Sequence, residues 1–456
     1  MLAAVVLLAF IALIARLQSG EPRLLAIEDP ERALALVVGR TMDVETALAA
    51  APGWERRLYG LTLSEPARQF NEAIAWYEEL TEYSLAPGVD LRLAILRAEG
   101  GRTEQLAGML EEWQTRGEPL ATAAGVLAAA YLGVGDVDAD AVQHALRVLG
   151  PGWFADVLAL RLAAAFAEPA LAEQARASMA ARAGALLRRL RVLALADVVL
   201  LVAGVLAIVT LRRRPPEARL VAAAALPPPW SMGAGLAVIV RGGAVSALLL
   251  VSLLAAAPWL AERPVFAEAL DVPIMYLPIA VLAWRLLLVP AGTTFGAAFG
   301  LRTVPGGGRP LVLAIAGLLA AGIVFDVGLA VGGGWLDLDT HWAEWFDSDL
   351  AWGPAVAVAV TLITTVVLAP VFEELIFRGL LYGSLRTRLG VAPALLLSAA
   401  VFALAHGYSP VGFASVFLSG ALWAWSYERT GSLLPAIGAH VANNAAVSAT
   451  LLWLLR

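Results

Sequence analysis

The chain has 456 residues, of which 60% are hydrophobic and 15% are charged, and its mean hydropathy is +0.76. Soluble domains carry charges at about 25% of positions, so this composition excludes an ordinary soluble protein and predicts a membrane protein. The net charge is −6, and the chain has no cysteine, which excludes disulfides and thiolate chemistry. We expect a multi-pass protein of the cell membrane with no nucleic-acid partner.

The first apolar segment spans residues 2–15 and ends at Arg16. Its length fits the hydrophobic region of a signal peptide, but no A-x-A-like cleavage site follows it and no basic residue precedes it. We therefore expect residues 1–18 to form an uncleaved signal anchor, with a cleaved signal peptide as the alternative.

Residues 20–188 form a region in which charges are frequent and apolar residues recur at helical spacing. Amphipathic stretches such as residues 91–98 and 105–113 are separated by glycine-containing turns. This pattern predicts a soluble all-α domain; a helix-pair repeat is an alternative arrangement, although no fixed period can be matched. No catalytic constellation occurs here, so we expect either a packed domain without chemistry of its own or a module that binds a protein partner.

Eight further apolar stretches predict membrane spans, since about 20 apolar residues suffice to cross a bilayer. They cover residues 192–211, 233–260, 272–290, 311–331, 355–382, 392–406, 411–427 and 433–455. With the N-terminal segment, the predicted fold is an all-α polytopic bundle of about eight to nine spans. We divide it into N-terminal transmembrane helices at 192–331 and a C-terminal membrane core at 354–456.

Arginine placement predicts the orientation of the bundle, because basic residues concentrate in cytoplasmic loops. If residues 212–214 are cytoplasmic, alternation of the spans puts the later arginine clusters on the same side. The helical region and the Asp- and Trp-rich loop at 332–352 then lie outside.

Polar side chains recur at three places in the last four apolar stretches, where an ionisable group is costly. They form the motifs Glu-Glu-x-x-x-Arg, Phe-x-x-x-His and His-x-x-x-Asn, whose polar members are Glu373, Glu374, Arg378, His406, His440 and Asn444. Any single motif has an equally good structural explanation, such as a buried ion pair or a hydrogen bond between helices. Three of them in four neighbouring segments indicate a functional site.

Helical geometry separates the two adjacent glutamates. Glu374 and Arg378 are four residues apart, so they share a face and can pair. Glu373 points about 100° away and remains free for another task. His440 and Asn444 lie one turn apart and face the same way.

The three motifs, in this order and on separate helices, resemble the CPBP family of intramembrane proteases. This family includes type II CAAX prenyl endopeptidases and bacteriocin-processing, Abi-like enzymes. The stretches 432–440 and 299–302 also resemble the family pattern, and the resemblance covers about residues 286–456. Residues 20–188 fall outside it. The resemblance implies an endopeptidase that cuts a membrane-associated protein or peptide.

Hydrolysis of a peptide bond in a membrane requires an activated water and stabilisation of the oxyanion. We expect Glu373 to be the general base and His406 to share the water. His440 and Asn444 are expected to stabilise the tetrahedral oxyanion. The family resemblance implies the same division of labour, in which Arg378 holds the second glutamate ionised.

Zinc is the alternative means of activating the water, with Glu373, His406 and His440 as its ligands. The chain has no His-Glu-x-x-His spacing and no cysteine, so we favour glutamate catalysis without a cofactor. The orientation model places Glu373 toward the cytoplasmic end of its helix and His406 nearer the outer end of its own. These two expectations about depth conflict.

Two other classes of function compete with a protease. One is a non-catalytic scaffold or immunity protein that recruits a partner through residues 20–188. The other is a transporter with a buried proton relay, but the expected pair of interrupted helices in two inverted halves is not visible in the sequence.

Overall fold

The computed structural model describes residues 1–20, 23–60, 66–135, 137–224, 226–255, 264–336, 338 and 340–456. All regular elements in these ranges are helices, and no strand occurs in them. The predicted all-α class is therefore confirmed. The chain divides into two compact units, one built from residues 1–23, 194–452 and 456, the other from residues 24–193 and 453–455. The domain limits expected from the sequence stay predictions.

The main helices follow one another along both units, with short turns and loops between them. In chain order they are α1 (Leu2–Gly20), α2 (Pro30–Ala49), α3 (Gly53–Tyr59), α4 (Pro66–Thr81), α5 (Pro87–Glu99), α6 (Thr103–Arg116), α7 (Leu120–Leu127), α8 (Ala139–Leu149), α9 (Trp153–Ala165), α10 (Pro169–Arg212), α11 (Met232–Ala255), α12 (Pro264–Ala283), α13 (Phe295–Ala298), α14 (Gly308–Leu336), α15 (Ser348–Trp352), α16 (Ala355–Arg386), α17 (Val391–His406), α18 (Pro410–Thr430) and α19 (Leu434–Leu455).

The unit of residues 24–193 has an interior of its own. The rings of Tyr77 and Phe154 meet edge to face inside it, with centroids 6.0 Å apart. Arg182 bridges Asp43 and Asp156, with nitrogen–oxygen distances of 3.0 and 2.6 Å. Burial raises the pKa of Asp43 despite the nearby guanidinium. A hydrophobic core and an internal ion-pair network thus hold this helical unit together.

Five helices are long and apolar enough to cross a membrane, namely α10, α11, α12, α14 and α16. On α10, Val198, Val202 and Leu206 follow one another at intervals of four residues and are largely exposed, which fits a lipid-facing stripe. The protein is therefore a multi-pass membrane protein. The total of nine spans stays a prediction, because α18 and α19 have the length but carry more polar residues. Residues 256–260 of the predicted span at 233–260 lie outside the described residues.

The helix α16 packs against α11, α12, α17 and α18. Its side chains Ile376, Leu380 and Tyr382 are buried in one cluster with Tyr276 of α12 and Tyr427 of α18. The helix widens to a π-helical form over Leu362–Leu368 and Glu374–Tyr382. Such widened turns are frequent at functional sites.

Two loops that resemble the family pattern contact each other next to this cluster. Gly300 has a φ of +63°, and a Cβ there would lie 2.1 Å from the carbonyl oxygen of Gly431, so only glycine fits. Ser432 Oγ donates to the Gly300 carbonyl at 2.5 Å, and the Leu433 amide donates to the Phe299 carbonyl at 3.1 Å. These contacts fix the start of α19, which carries His440.

Glu373 lies nearer the middle of its helix than either end. The helix continues to Arg386, and the charges of Glu374 and Arg378 are paired inside the protein. His406 is the last residue of α17, which Gly407 terminates in the left-handed conformation at a φ of +66°. The depths of Glu373 and His406 in the membrane stay predictions.

Candidate active site

Glu374 and Arg378 form a fully buried ion pair. Glu374 Oε1 accepts a hydrogen bond from Arg378 Nη1 at 2.9 Å, and neither side chain is exposed. The same oxygen lies 2.9 Å from Nδ1 of His440 on α19. Because a carboxylate oxygen paired with arginine only accepts, we assign the proton of this contact to Nδ1. His440, from another helix, thus contacts the carboxylate of the Glu374–Arg378 pair.

Glu373 is held by a tyrosine from a different helix. Its Oε1 accepts from the hydroxyl of Tyr276 on α12 at 3.0 Å, and the Tyr276 ring stacks on Phe372 with centroids 6.2 Å apart. Its Oε2 lies 3.7 Å from Nε2 of His440, which is beyond hydrogen-bond range. One carboxylate oxygen is therefore fixed, while the other faces the histidine.

Aromatic rings enclose the ionised groups. The ring of Trp423 stacks on His440 with centroids 4.1 Å apart, and the Arg378 guanidinium carbon lies 3.9 Å from the ring centroid of Phe402. Such cation–π contacts stabilise a desolvated guanidinium. A Cβ on Gly420 would lie 2.8 Å from Arg378 Nη2, so glycine leaves the room that the guanidinium occupies.

His406 has one defined ring nitrogen. Its Nδ1 lies 2.8 Å from the carbonyl oxygen of Phe402, one turn earlier on α17. A carbonyl oxygen only accepts, so Nδ1 carries the proton and Nε2 of the neutral ring has a free lone pair. The Nε2 atom of His406 can therefore accept a hydrogen bond.

Asn444 lies one turn beyond His440 on α19. Its Nδ2 donates to the carbonyl oxygen of Thr365 on α16 at 2.9 Å. A primary amide carries two N–H groups, so this bond orients the side chain and leaves a second donor.

These side chains meet at an open cavity of about 600 Å³. The predicted site residues in its lining are Glu373, His406, His440 and Asn444. Glu374 and Arg378 are fully buried and fix His440 from behind. Another part of the lining comes from a segment before α16, including Glu344, Phe346 and Leu350. The structure thus gathers residues from five separate stretches of sequence around one space.

The zinc alternative requires Glu373, His406 and His440 to converge at metal-ligand distances. In the ranges that the structure describes, no group of three or more histidine, aspartate or glutamate side chains could hold a metal ion. The choice between glutamate catalysis and zinc catalysis stays a prediction, and no proposed step depends on a metal.

Sequence patterns missed three residues of this site. Tyr276, Trp423 and Glu344 contact or line it, but none belongs to a motif with characteristic spacing. A tyrosine inside an apolar span was the one available signal, because a buried hydroxyl usually finds a hydrogen-bond partner.

Replacing Tyr276 by phenylalanine should lower kcat about 10-fold, because hydrogen bonds to charged groups are worth about 1.5–3 kcal/mol. The loss should leave Glu373 less well oriented while the ring still packs on Phe372. Steady-state cleavage rates measure the effect. Tyr427→Phe is the matched control, since that buried hydroxyl donates to the Ala298 carbonyl, away from the cavity. Equal rates for wild type and Tyr276→Phe would contradict the prediction.

Residues 355–446 match the family model described as type II CAAX prenyl endopeptidase, Rce1-like. All six predicted site residues lie inside the matched segment, and residues 1–354 lie outside it. No curated protein and no solved structure matches the chain. The apolar helices around the segment agree with the membrane location of this family. Residues 355–446 thus carry an Rce1-like domain, which supports the CPBP family of CAAX-type proteases that the three motifs resemble.

Proposed function

We propose that the protein is an intramembrane endopeptidase in which Glu373 activates water to cut a membrane-associated protein or peptide. The observation that supports this proposal is the shared cavity, in which a carboxylate, two imidazoles and an amide face one open space. A lone structural ion pair would not require such a space.

The first step is attack by water on the scissile carbonyl. The oxygen of Glu373 that faces the cavity takes a proton from water, and the water oxygen forms a bond to the carbonyl carbon. His406 Nε2 accepts the second hydrogen of this water and orients it. Tyr276 holds the other carboxylate oxygen, so the base presents one defined lone pair.

The carbonyl oxygen becomes an oxyanion as the tetrahedral intermediate forms. The second N–H of Asn444 and Nε2–H of protonated His440 are the donors for this charge, and losing one such donor typically costs about 10²–10³-fold in rate. Glu373 then gives its proton to the leaving nitrogen as the carbon–nitrogen bond breaks. The carboxylate is restored on release of the amine product.

The buried pair behind the cavity has a positioning role. Glu374, ionised by Arg378, accepts from Nδ1 of His440 and so fixes the ring that Trp423 also stacks upon. An orienting carboxylate of this kind sets which nitrogen faces the substrate. Glu374 and Arg378 thus act through His440 and do not touch the reacting atoms.

Treatment of the purified protein with EDTA or 1,10-phenanthroline should leave Glu373-dependent cleavage unchanged, because no step above uses a metal. Metal analysis of the same preparation provides the control. Loss of activity that added zinc restores would contradict this expectation and support the zinc alternative.

Comparative proteomics of membrane peptides tests the function itself. Cells with the wild-type protein should contain new peptide termini that are absent with Glu373→Ala or His406→Ala. If both variants retain the cellular activity of the wild type, the protease proposal fails and the scaffold alternative is favoured.

A further inference from the structure

The segment of residues 340–352 lies outside the matched family domain, yet it forms part of the cavity wall. Trp342 is almost completely buried, and its ring meets Phe346 with centroids 5.8 Å apart; Phe346 in turn meets Trp352 at 5.4 Å. These contacts hold the segment in a defined shape beside the cavity. A side chain on it can therefore act as a fixed support.

Glu344 of this segment makes three hydrogen bonds to one residue. Its two carboxylate oxygens accept from the backbone amide of Ser409 at 3.1 and 3.2 Å, and its Oε2 also accepts from Ser409 Oγ at 3.0 Å. Hydrogen bonds to a charged acceptor are roughly twice as strong as neutral ones. The carboxylate of Glu344 thus binds both the backbone and the side chain of Ser409.

Ser409 occupies the N-cap position of α18, but its side chain does not cap the helix. A serine here usually accepts from an amide of the first turn. Its hydroxyl instead donates to Glu344, and a carboxylate close to a helix N-terminus is favoured by the helix dipole. The start of α18 is thus tied to the 340–352 segment.

Ser409, which Glu344 binds, is three residues away from His406. Gly407 ends α17 directly after this histidine, and the Tyr408 ring lies 5.6 Å from the imidazole. A final helical turn frays unless its end is held, and the short connection to Ser409 has its far end fixed by Glu344. The direction in which His406 enters the cavity therefore depends on this connection.

We infer that Glu344 is a positioning residue for His406, which it holds through Ser409 and the 406–409 turn. This inference rests on the proposed function. Glu344 supplies a support for this turn from outside the family domain. It acts as a hydrogen-bond acceptor, so its oxygen atoms matter and its charge does not select the substrate.

The test uses full-length protein in lipid nanodiscs and one quenched-fluorescent decapeptide, chosen from a library as a peptide that the wild-type protein cuts. Glu344→Ala should lower kcat about 10-fold with KM unchanged, since small displacements of catalytic groups are costly. Glu344→Gln should lower kcat less than Glu344→Ala, because its amide oxygen still accepts from Ser409, although a hydrogen bond to a neutral acceptor is weaker. Hydrogen exchange at the Ser409 amide should be fastest in Glu344→Ala and intermediate in Glu344→Gln.

Two controls accompany these variants. Ser409→Ala should give a partial loss of kcat, because the backbone amide remains bound, and adding it to Glu344→Ala should cost less than the sum of the single effects. Ser231→Ala removes another serine at a helix start, whose Oγ accepts from the Ala234 amide, and should leave kcat unchanged.

The outcomes separate the inference from the proposed function. Absence of any Glu373-dependent cleavage by wild-type protein overturns the proposed function, and the inference falls with it. Wild-type cleavage with full kcat in Glu344→Ala overturns the inference alone. Equal damage from Glu344→Gln and Glu344→Ala also overturns it, since that result would make the negative charge the important property.

Discussion

Replacing Glu373 by glutamine should reduce cleavage about 10²–10⁴-fold, which is the contribution typical of a positioned general base. Glutamine has the same shape, and its amide oxygen can still accept from the Tyr276 hydroxyl. The cavity should therefore keep its form while its base is lost. The measurement is the initial rate on a peptide that the wild-type protein cuts, with full-length protein in lipid nanodiscs.

The control for this substitution is Glu217→Gln, which changes an exposed carboxylate on the turn Pro216–Arg219. Its cleavage rate should equal that of the wild type. Thermal unfolding of Glu373→Gln should stay close to that of the wild type, because the change removes a charge without opening a void. A rate within a few fold of wild type would exclude Glu373 as the base.

Replacing Arg378 by leucine should have the largest effect on stability. The change leaves the carboxylate of Glu374 buried without its cation, and breaking a buried pair in this way costs about 3–5 kcal/mol. The contact of His440 with Glu374 remains and reduces the loss. Equilibrium unfolding in mixed micelles measures the difference in free energy, and cleavage should be lost as well.

The double variant Arg378→Leu/Glu374→Leu separates the structural role of the pair from its role in activity. Removal of both charges should recover part of the stability, because apolar replacements of a buried pair are often neutral. Cleavage should stay lost, because Nδ1 of His440 no longer has an acceptor. Recovery of activity together with stability would show that the pair has no positioning role.

Arg386→Leu is the matched control for this experiment. Arg386 is the last residue of the same helix and pairs with Glu428 at 2.9 Å, and both side chains are partly exposed. Its loss should therefore cost less stability than the loss of Arg378, and cleavage should continue. A similar loss of cleavage would mean that any ion pair on α16 is needed for the fold of the site.

The sequence predicted the pairing of Glu374 with Arg378, and the structure contains this ion pair. The apolar run predicted a span over residues 355–382, and the helix covers Ala355–Arg386. The structure adds that His440 of α19 contacts the carboxylate of Glu374. Hydropathy cannot distinguish a charge that ends a span from a charge that is paired inside one.

The sequence alone determined the properties that depend on composition and on distance along one helix. The apolar composition established a membrane protein, and the helical repeat placed Glu374 and Arg378 on one face. The three motifs marked the polar residues as a set, because each interrupts an apolar segment at a cost. None of these conclusions needs knowledge of how the helices pack.

Only the tertiary structure decided which groups meet. His440 is 66 residues from Glu374, Tyr276 is 97 residues from Glu373, and Glu344 is 65 residues from Ser409. Each contact depends on the rotation and depth of two separate helices or of a loop against a helix. Packing of many side chains sets these quantities together, and no local period of the sequence encodes them.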